Sequence, residues 1–467
     1  MVTVGINSCF LHIRTELTLT QRLKPGPTEN PTGVAVLTES RINSLQSISY
    51  SKLPTHNRLR LFRLAAVCLV GFVALNGALY WRLHASILAG DADFASFYTA
   101  GKIVDSGQGS RLYDPALQWE VQQEFAAKAR NRNGPLPYVR PPFEALLFLP
   151  LAKLSYPTAC TVWLTVKLAV LLAIPSLLRS LNGKKRSPSA HLLGLLVCLA
   201  YFPVGLDMIQ GQDSILLLLI LVLALRLLLS GTDLAFGAML GLGLFKFHLI
   251  IPLFLILALK RRGKFVAGFL ASGCALFGIS LAVAGASGVV TYPKYLWTLN
   301  QLPGLGMIQP RSMPNVRGIV MLLMPDRSLP PAAHWCLLGL VVLGIAIAAR
   351  GWRGTDRSSV AASFSLAIVI VLVTSYYGNS CDLTLLLLPL LLLGEEMLAS
   401  QPGGWPSALF SASAAVLLCT PLLWFLILKV NQVCWISLVL VSFGGAIWAM
   451  PRDTLSGEDS DRSVARG

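Results

Sequence analysis

The chain reads as an all-α integral membrane protein, and three observations carry that reading. Hydrophobic residues fill 54% and charged residues only 13% of the 467 positions, with a mean hydropathy of +0.65, far from the composition of a soluble domain. Several apolar runs reach or approach the roughly 20 residues that a spanning helix needs. They are continuous and lack the alternation of barrel strands, so in hydrocarbon, with no water for open backbone groups, each has to be a helix. The net charge of +16 falls in short clusters beside those runs. Such clusters set topology and do not make a nucleic-acid surface, so no nucleic-acid partner is expected.

Residues 1–60 are polar, carry Pro25, Pro27 and Pro31 and show no sustained periodicity. They are expected to be a mobile cytoplasmic extension or the product of a start codon placed too early. Lys52, Arg58, Arg60 and Arg63 precede a first span at 64–83, which puts the N-terminus inside and a first large loop, 84–142, outside. The basic groups at 179–186 and 260–264 should then both be cytoplasmic. That leaves one crossing, 157–178, before the first of them, so the shorter apolar segment 143–154, opened by Pro141 and Pro142, has to dip into the outer leaflet and return. Spans at 191–208 and 213–230 leave IQGQD at the outer face. The stretch 234–259 lies between two cytoplasmic sites and is interrupted by Lys246, Phe247 and His248. Two half-helices meeting at that tip keep the parity, and broken helices are tolerated where they line a cavity. Spans at 265–285, 332–350, 359–375, 382–399, 405–427 and 432–450 bring the total to about ten. They leave a second outer segment at 287–331 and a cytoplasmic tail at 451–467. One polytopic domain, 61–450, is expected in the cell membrane, with both termini cytoplasmic.

The nine cysteines occur singly, without a CxxC pair, and read as small buried hydrophobes. The six histidines form no ligand cluster, so no metal site is expected.

The unusual polar residues fall on the outer face. Asp91 and Asp93 close the first span, and on continuing helix their side chains would point about 200° apart. Asp93, followed by FASFY, suits a carboxylate aimed into a pocket as general base, against the plainer reading of a solvated helix cap. Arg140 in YVRPPFE suits phosphate recognition, or else a lipid-headgroup anchor. Lys246 and His248 sit where a cation is expensive. Arg311, Asn315 and Arg317 offer donors to phosphate or sugar. Trp297 and nearby tyrosines offer ring faces, though interfacial aromatics are commonly belt residues.

Five segments in order, DFASFYTAGKIVDSGQGSRLYD at 93–114, LPYVRPPFEALLFLPLAKL at 136–154, QGQDSILLLLI at 210–220, GLGLFKFHLIIPLFL at 241–255 and YGNSCDLTLLLLPLLLL at 377–393, give the chain its likeness. It resembles glycosyltransferase family 87, the polyprenol-phosphate-mannose-dependent mannosyltransferases of the GT-C superfamily. The resemblance implies a GT-C-type helical bundle that takes a hexose, mannose in that family, from a polyprenyl-phosphate-linked donor. The acceptor would be a lipid or glycan at the outer face. The family's catalytic carboxylate lies at the start of the first outer loop, a place that Asp93 fills. Two positions differ: Arg140 stands where the family often has an aromatic, and Phe247 follows Lys246 where it often has proline.

The site implied is then Asp93 as catalytic base of an inverting transfer. Arg140, Lys246, His248, Arg311, Arg317, Tyr98, Tyr138 and Gln212 would lie on the donor phosphate and sugar, and Asp91, Tyr113, Asp114, Glu144, Trp297, Tyr377 and Asp382 toward the acceptor or in support. The donor is a substrate and no cofactor is expected; the partners are membrane lipids, the polyprenyl-phosphate-linked sugar and a glycolipid or glycan acceptor. The acidic DAD at 91–93 is outside, which argues against a nucleotide-sugar donor. A polytopic transporter or lipid flippase would also explain broken helices and intramembrane cations, but no inverted repeat is visible. A membrane acyl- or phosphotransferase would show a His or His-Asp centre, and none is visible.

Overall fold

The computed structural model describes residues 55–127, 129, 134–179, 188–260, 263–301, 313–324, 330–352, 356–400 and 404–450. Every regular element among them is helical. Residues 1–54 of the expected extension, the C-terminal tail and Arg311 lie outside the described residues, and residues 55–60 are already helix.

Helix α1 (Thr55–Leu88) is the first span. The segment after it carries α2 (Phe94–Asp105), α3 (Pro115–Ala126) and, after a 3-10 turn at Pro142–Glu144, the short apolar α4 (Ala145–Ala152). Helix α4 has only 8 residues, about 12 Å of rise, and cannot cross. It packs on α2, where Gly101 lets the two backbones touch: a Cβ there would fall 2.6 Å from the Phe148 carbonyl oxygen. Helix α5 (Tyr156–Arg179) is a full span. Then α6 (Pro188–Ala200) and α7 (Phe202–Gln210) form a pair bent by 54°.

Helix α8 (Ser214–Leu229) returns the chain, followed by α9 (Asp233–Gly241), a 3-10 turn at Leu242–Lys246 and α10 (Phe247–Ala258). By length and hydropathy, residues 233–258 are enough for one crossing, yet they double back. The Phe265 ring lies 4.7 Å from Phe236 and 5.7 Å from Phe254. A straight helix would hold those two residues about 27 Å apart. Helix α11 (Gly263–Gln301) runs parallel to α9, because their contacts advance together: a Cβ on Gly237 would lie 2.0 Å from the Phe265 oxygen, one on Gly241 2.7 Å from Ser272 Cβ and one on Gly273 3.6 Å from Leu244 Cδ1. Both therefore start at the same end, α10 runs opposite to them, and Lys246 and His248 sit at the turn of a re-entrant hairpin.

Helix α11 breaks at Gly285, whose φ of 64° and ψ of 177° leave the helical region. The expected outer segment beginning at 287 therefore opens as helix, which carries Tyr292 and Tyr295. Helices α12 (Val316–Leu323), α13 (Pro331–Gly351), α14 (Arg357–Thr374), α15 (Leu387–Ser400), α16 (Trp405–Leu418), α17 (Thr420–Trp424) and α18 (Ile436–Ala449) complete the bundle. A second bent pair, residues 405–418 and 420–429, turns by 58°.

The protein is thus a multi-pass helical membrane protein with six candidate spans, or up to eight if each bent pair is one span, against the ten or so expected. The shortfall has a physical cause. Helices α8, α15 and α18 have 16, 14 and 14 residues, about 21–24 Å, so apolar runs that continue into 3-10 turns or caps fall short of 30 Å of hydrocarbon.

Candidate active site

Five segments converge where the loop between α1 and α5 meets the hairpin tip. The first is the extended run Leu136–Arg140, whose backbone groups are satisfied by side chains instead of a neighbouring strand. The Gln122 amide accepts from Leu136 N and donates to Leu136 O, both at 2.9 Å. Gln118 Oε1 accepts from Tyr138 N, Tyr292 OH donates to Val139 O at 3.1 Å, and Tyr113 OH donates to Arg140 O at 2.7 Å. Tyr113 lies against Tyr138, Tyr292 and Tyr295 with ring centroids 6.2, 5.0 and 5.4 Å away. These side chains fix Arg140 in a largely buried position.

The second segment is the turn between α7 and α8. Gly211 ends α7 in the left-handed region, φ 66°, and a Cβ there would strike Phe94 Cβ at 2.6 Å. Glycine therefore both makes the turn and lets it touch the start of α2. Behind it, Asp207 Oδ2 accepts from Ser214 N at 3.0 Å, and Oδ1 pairs with Lys167 Nζ at 2.6 Å, both side chains wholly buried. The turn presents Gln212 and Asp213 to the site.

Asp213 is the centre of the charge network. Arg140 reaches it through two bonds, Nε to Oδ2 at 2.7 Å and Nη2 to Oδ1 at 2.9 Å, the bidentate fork of a strong pair. Lys246 Nζ lies 2.8 Å from Asp213 Oδ1, 2.6 Å from Ser214 Oγ and 2.6 Å from Asp382 Oδ1. An ammonium has three hydrogens, and these three oxygens match them. Asp382 is itself anchored by a capping box with Asn379, and His248 Nε2 stands 3.9 Å from Asp382 Oδ2. Burial opposes the charge on Asp213, but Arg140 and Lys246 outweigh it and hold its carboxyl below the usual range. Burial also opposes the Arg140 cation, and the Asp213 carboxylate outweighs it and raises the guanidinium. Glu144, 3.9 Å from Arg140 and accepting from Tyr138 OH, is pushed well above the usual range by burial and then by Asp213.

Asp93 stands at the N-terminus of α2 without capping it. Its Oδ2 accepts from Gln212 Nε2 at 2.6 Å, while Gln212 Oε1 accepts from Arg140 Nη2 at 3.1 Å. Asp93, Gln212, Arg140, Glu144, Tyr138, Lys246, His248 and Asp382 are therefore brought together. Tyr377 is next to them, its ring 6.4 Å from His248. Arg317 lies behind Tyr377, stacked 4.0 Å over Tyr376 and 5.0 Å over Tyr377, and donates to Tyr376 O and Asn300 Oδ1.

Other expected residues are placed elsewhere. Asp91 accepts from Ser86 Oγ at 2.5 Å, closing the end of α1. Asp114 caps α3 and pairs with Arg111 at 2.7 Å. Tyr98 OH donates to Leu154 O within the α2–α4 core. Trp297 is 68% exposed, as a belt residue is. Tyr113 supports the Arg140 backbone from outside the charge network.

Sequence reasoning missed Asp213, Ser214 and the Lys167–Asp207 pair. Asp213 reads as an ordinary helix cap in QGQDS, although its side chain makes no cap bond there. Lys167 inside the apolar run of α5 was the legible signal, since an intramembrane cation needs a partner.

A bundle of membrane-crossing and re-entrant helices, with a carboxylate beside a buried guanidinium, defines a polytopic membrane protein with a buried cluster of charged side chains. The model of glycosyltransferase family 87 matches residues 138–375, which is half of the chain, and the protein belongs to that family of membrane glycosyltransferases. The match takes in Arg140, Gln212, Asp213, Lys246, His248 and Arg317; Asp93 and Asp382 flank it. No curated protein and no solved structure matches the chain.

Proposed function

We propose that the protein transfers a hexose, mannose by its family resemblance, from a polyprenyl-phosphate-linked donor to a hydroxyl of a glycolipid or glycan acceptor at the outer face of the membrane. Asp93 serves as general base in a single inverting displacement. The acceptor oxygen forms the new bond to the sugar's anomeric carbon as its proton passes to Asp93. The bond from that carbon to the phosphate oxygen breaks, and the electron pair leaves with polyprenyl phosphate. Catalysis in this reading is mainly positioning and charge stabilisation.

The observation that carries it is the bridge from Asp93 through Gln212 to Arg140, which sets a carboxylate and a buried cation side by side. Arg140 is the residue best placed to meet the departing phosphate. Its Nε and Nη2 are engaged by Asp213 and Gln212, and among the described residues nothing accepts from Nη1. Lys246 has its three oxygens already, so it supports the phosphate site from behind, with His248 and Arg317 at its edge.

The test is Asp93→Asn, an amide of nearly the same shape that cannot take a proton. Incorporation of labelled mannose from a short-chain polyprenyl-phosphate-mannose into membrane glycolipid should fall by roughly two to four orders of magnitude. Asp91→Asn, at a residue tied to Ser86, should be far milder. Full turnover in Asp93→Asn, or equal losses in the two variants, sinks the assignment of the base.

A further inference from the structure

We propose that Gln212 and Asp213 together form the positioning device of the site, holding the Asp93 carboxylate and the Arg140 guanidinium in one register. The inference rests on the reading of Asp93 and Arg140 given above; it turns Gln212, expected on the donor, into a positioning residue and adds Asp213.

The Gln212 amide has only one orientation that fits. A guanidinium only donates, so the amide oxygen has to face Arg140 Nη2, and the NH2 then faces Asp93. Both contacts are present, at 3.1 and 2.6 Å. A donor aimed at a carboxylate favours its ionised form, so Gln212 holds Asp93 ready to accept a proton while sharing its other end with the anion-facing cation. Asp213 does the complementary work. Its two oxygens take Arg140 as a fork, which fixes the plane of the guanidinium and turns Nη1 away from the network, and one of them also meets Lys246. The base comes from the outer loop, the cation from the extended run and the lysine from the hairpin tip. The Gln212–Asp213 turn touches all three.

The arrangement is rigid from behind. Gly211 cannot carry a side chain without striking Phe94, its carbonyl accepts from Trp163 Nε1 at 2.8 Å, and Ser214 N is held by Asp207. The charged and titratable groups around Asp93 and Gln212 are Arg140 and Glu144 from the outer loop, Asp213 from the turn, Lys246 and His248 from the hairpin, and Cys381 and Asp382 from the turn before α15.

The test reads the Asp93 carboxyl directly, by infrared titration of full-length protein in nanodiscs, with Asp93→Asn identifying its band. Gln212→Glu sets a second carboxylate beside Asp93 and should move that titration up by about one pH unit or more. Gln212→Leu removes the donor and should move it in the same direction by less. Asp213→Asn should leave the band within a few tenths of a unit but weaken binding of short-chain polyprenyl phosphate by about tenfold or more, because the fork on Arg140 is lost. Asp213→Glu, which keeps the charge, should recover part of that affinity. An unchanged Asp93 titration in both Gln212 variants, or full phosphate affinity in Asp213→Asn, overturns the proposal. If Asp93 shifts as stated while the parent protein binds no polyprenyl phosphate, the positioning role stands and the donor reading fails.

Discussion

Lys167 is wholly buried inside α5 and pairs with Asp207 on α7, with the Asp207 carbonyl as a second acceptor. A buried pair contributes little over two apolar residues, but losing one partner strands the other's charge. Lys167→Met should therefore lower stability by roughly 3–5 kcal/mol, visible as a drop in the thermal midpoint of the detergent-solubilised protein. Lys167→Met with Asp207→Leu should recover part of the loss and not all, since Asp207 also accepts from Ser214 N. A midpoint unmoved by Lys167→Met would remove the pair from the support of the Gln212–Asp213 turn. At this scale the sequence was half legible. Asp93, Arg140 and Lys246 stood out because a charge beside an apolar run needs a reason. Asp213 did not, because one acidic residue before a helix reads as a cap, and only tertiary contact gives it two cations. Tyr98 and Asp114 carried the right residue types for a site, but local needs, a buried hydroxyl and a helix N-terminus, had already claimed them.

Helices α9 and α11 meet backbone to backbone at their glycines, beside the stacked rings of Phe236 and Phe265. Membrane helices associate by close backbone packing when small residues line the contact. Gly237→Ala should force the pair apart, because its Cβ would lie 2.0 Å from the Phe265 carbonyl oxygen, with no flexible side chain to yield. The hairpin tip bearing Lys246 would move with α9, so both the thermal midpoint and transfer activity should fall. Gly278→Ala on α11 faces open space and should leave both unchanged. Equal behaviour of the two variants would show that the contact does not hold the hairpin. The hairpin itself was readable in advance: charge parity demanded an even number of crossings across 234–259, and the polar triplet in the middle marked the turn. What could not be read was how far each helix runs. The bends in the α6–α7 and 405–429 pairs, and the 3-10 segments at 242–246 and 380–386, follow from packing against neighbours, and hydropathy is blind to it.

Across the whole molecule, helix direction sorts the charges by end. The chain enters α5 beside Phe94 and leaves it at Arg179; α13 ends at Arg350, and α14 begins at Arg357 and returns toward Asp382. Lys260 and Lys264 flank the hairpin's exit, at the end opposite its tip. These basic residues lie away from the Asp93 cluster, as they should if that end is cytoplasmic. The turn at 230–232 also lies there, separated from Asp213 by the 16 residues of α8, about 24 Å of rise. Sidedness can thus be tested with two exposed positions, Ser106 at the end of α2 and Thr232 in that turn, each changed to cysteine in a chain whose nine native cysteines are replaced. A membrane-impermeant maleimide should label Ser106→Cys in intact cells and Thr232→Cys only after permeabilisation. The reverse pattern would turn the site toward the cytoplasm and remove the outward-facing lipid-linked donor from the mechanism. Labelling of both from outside would contradict the separation of the two turns to opposite ends of the bundle.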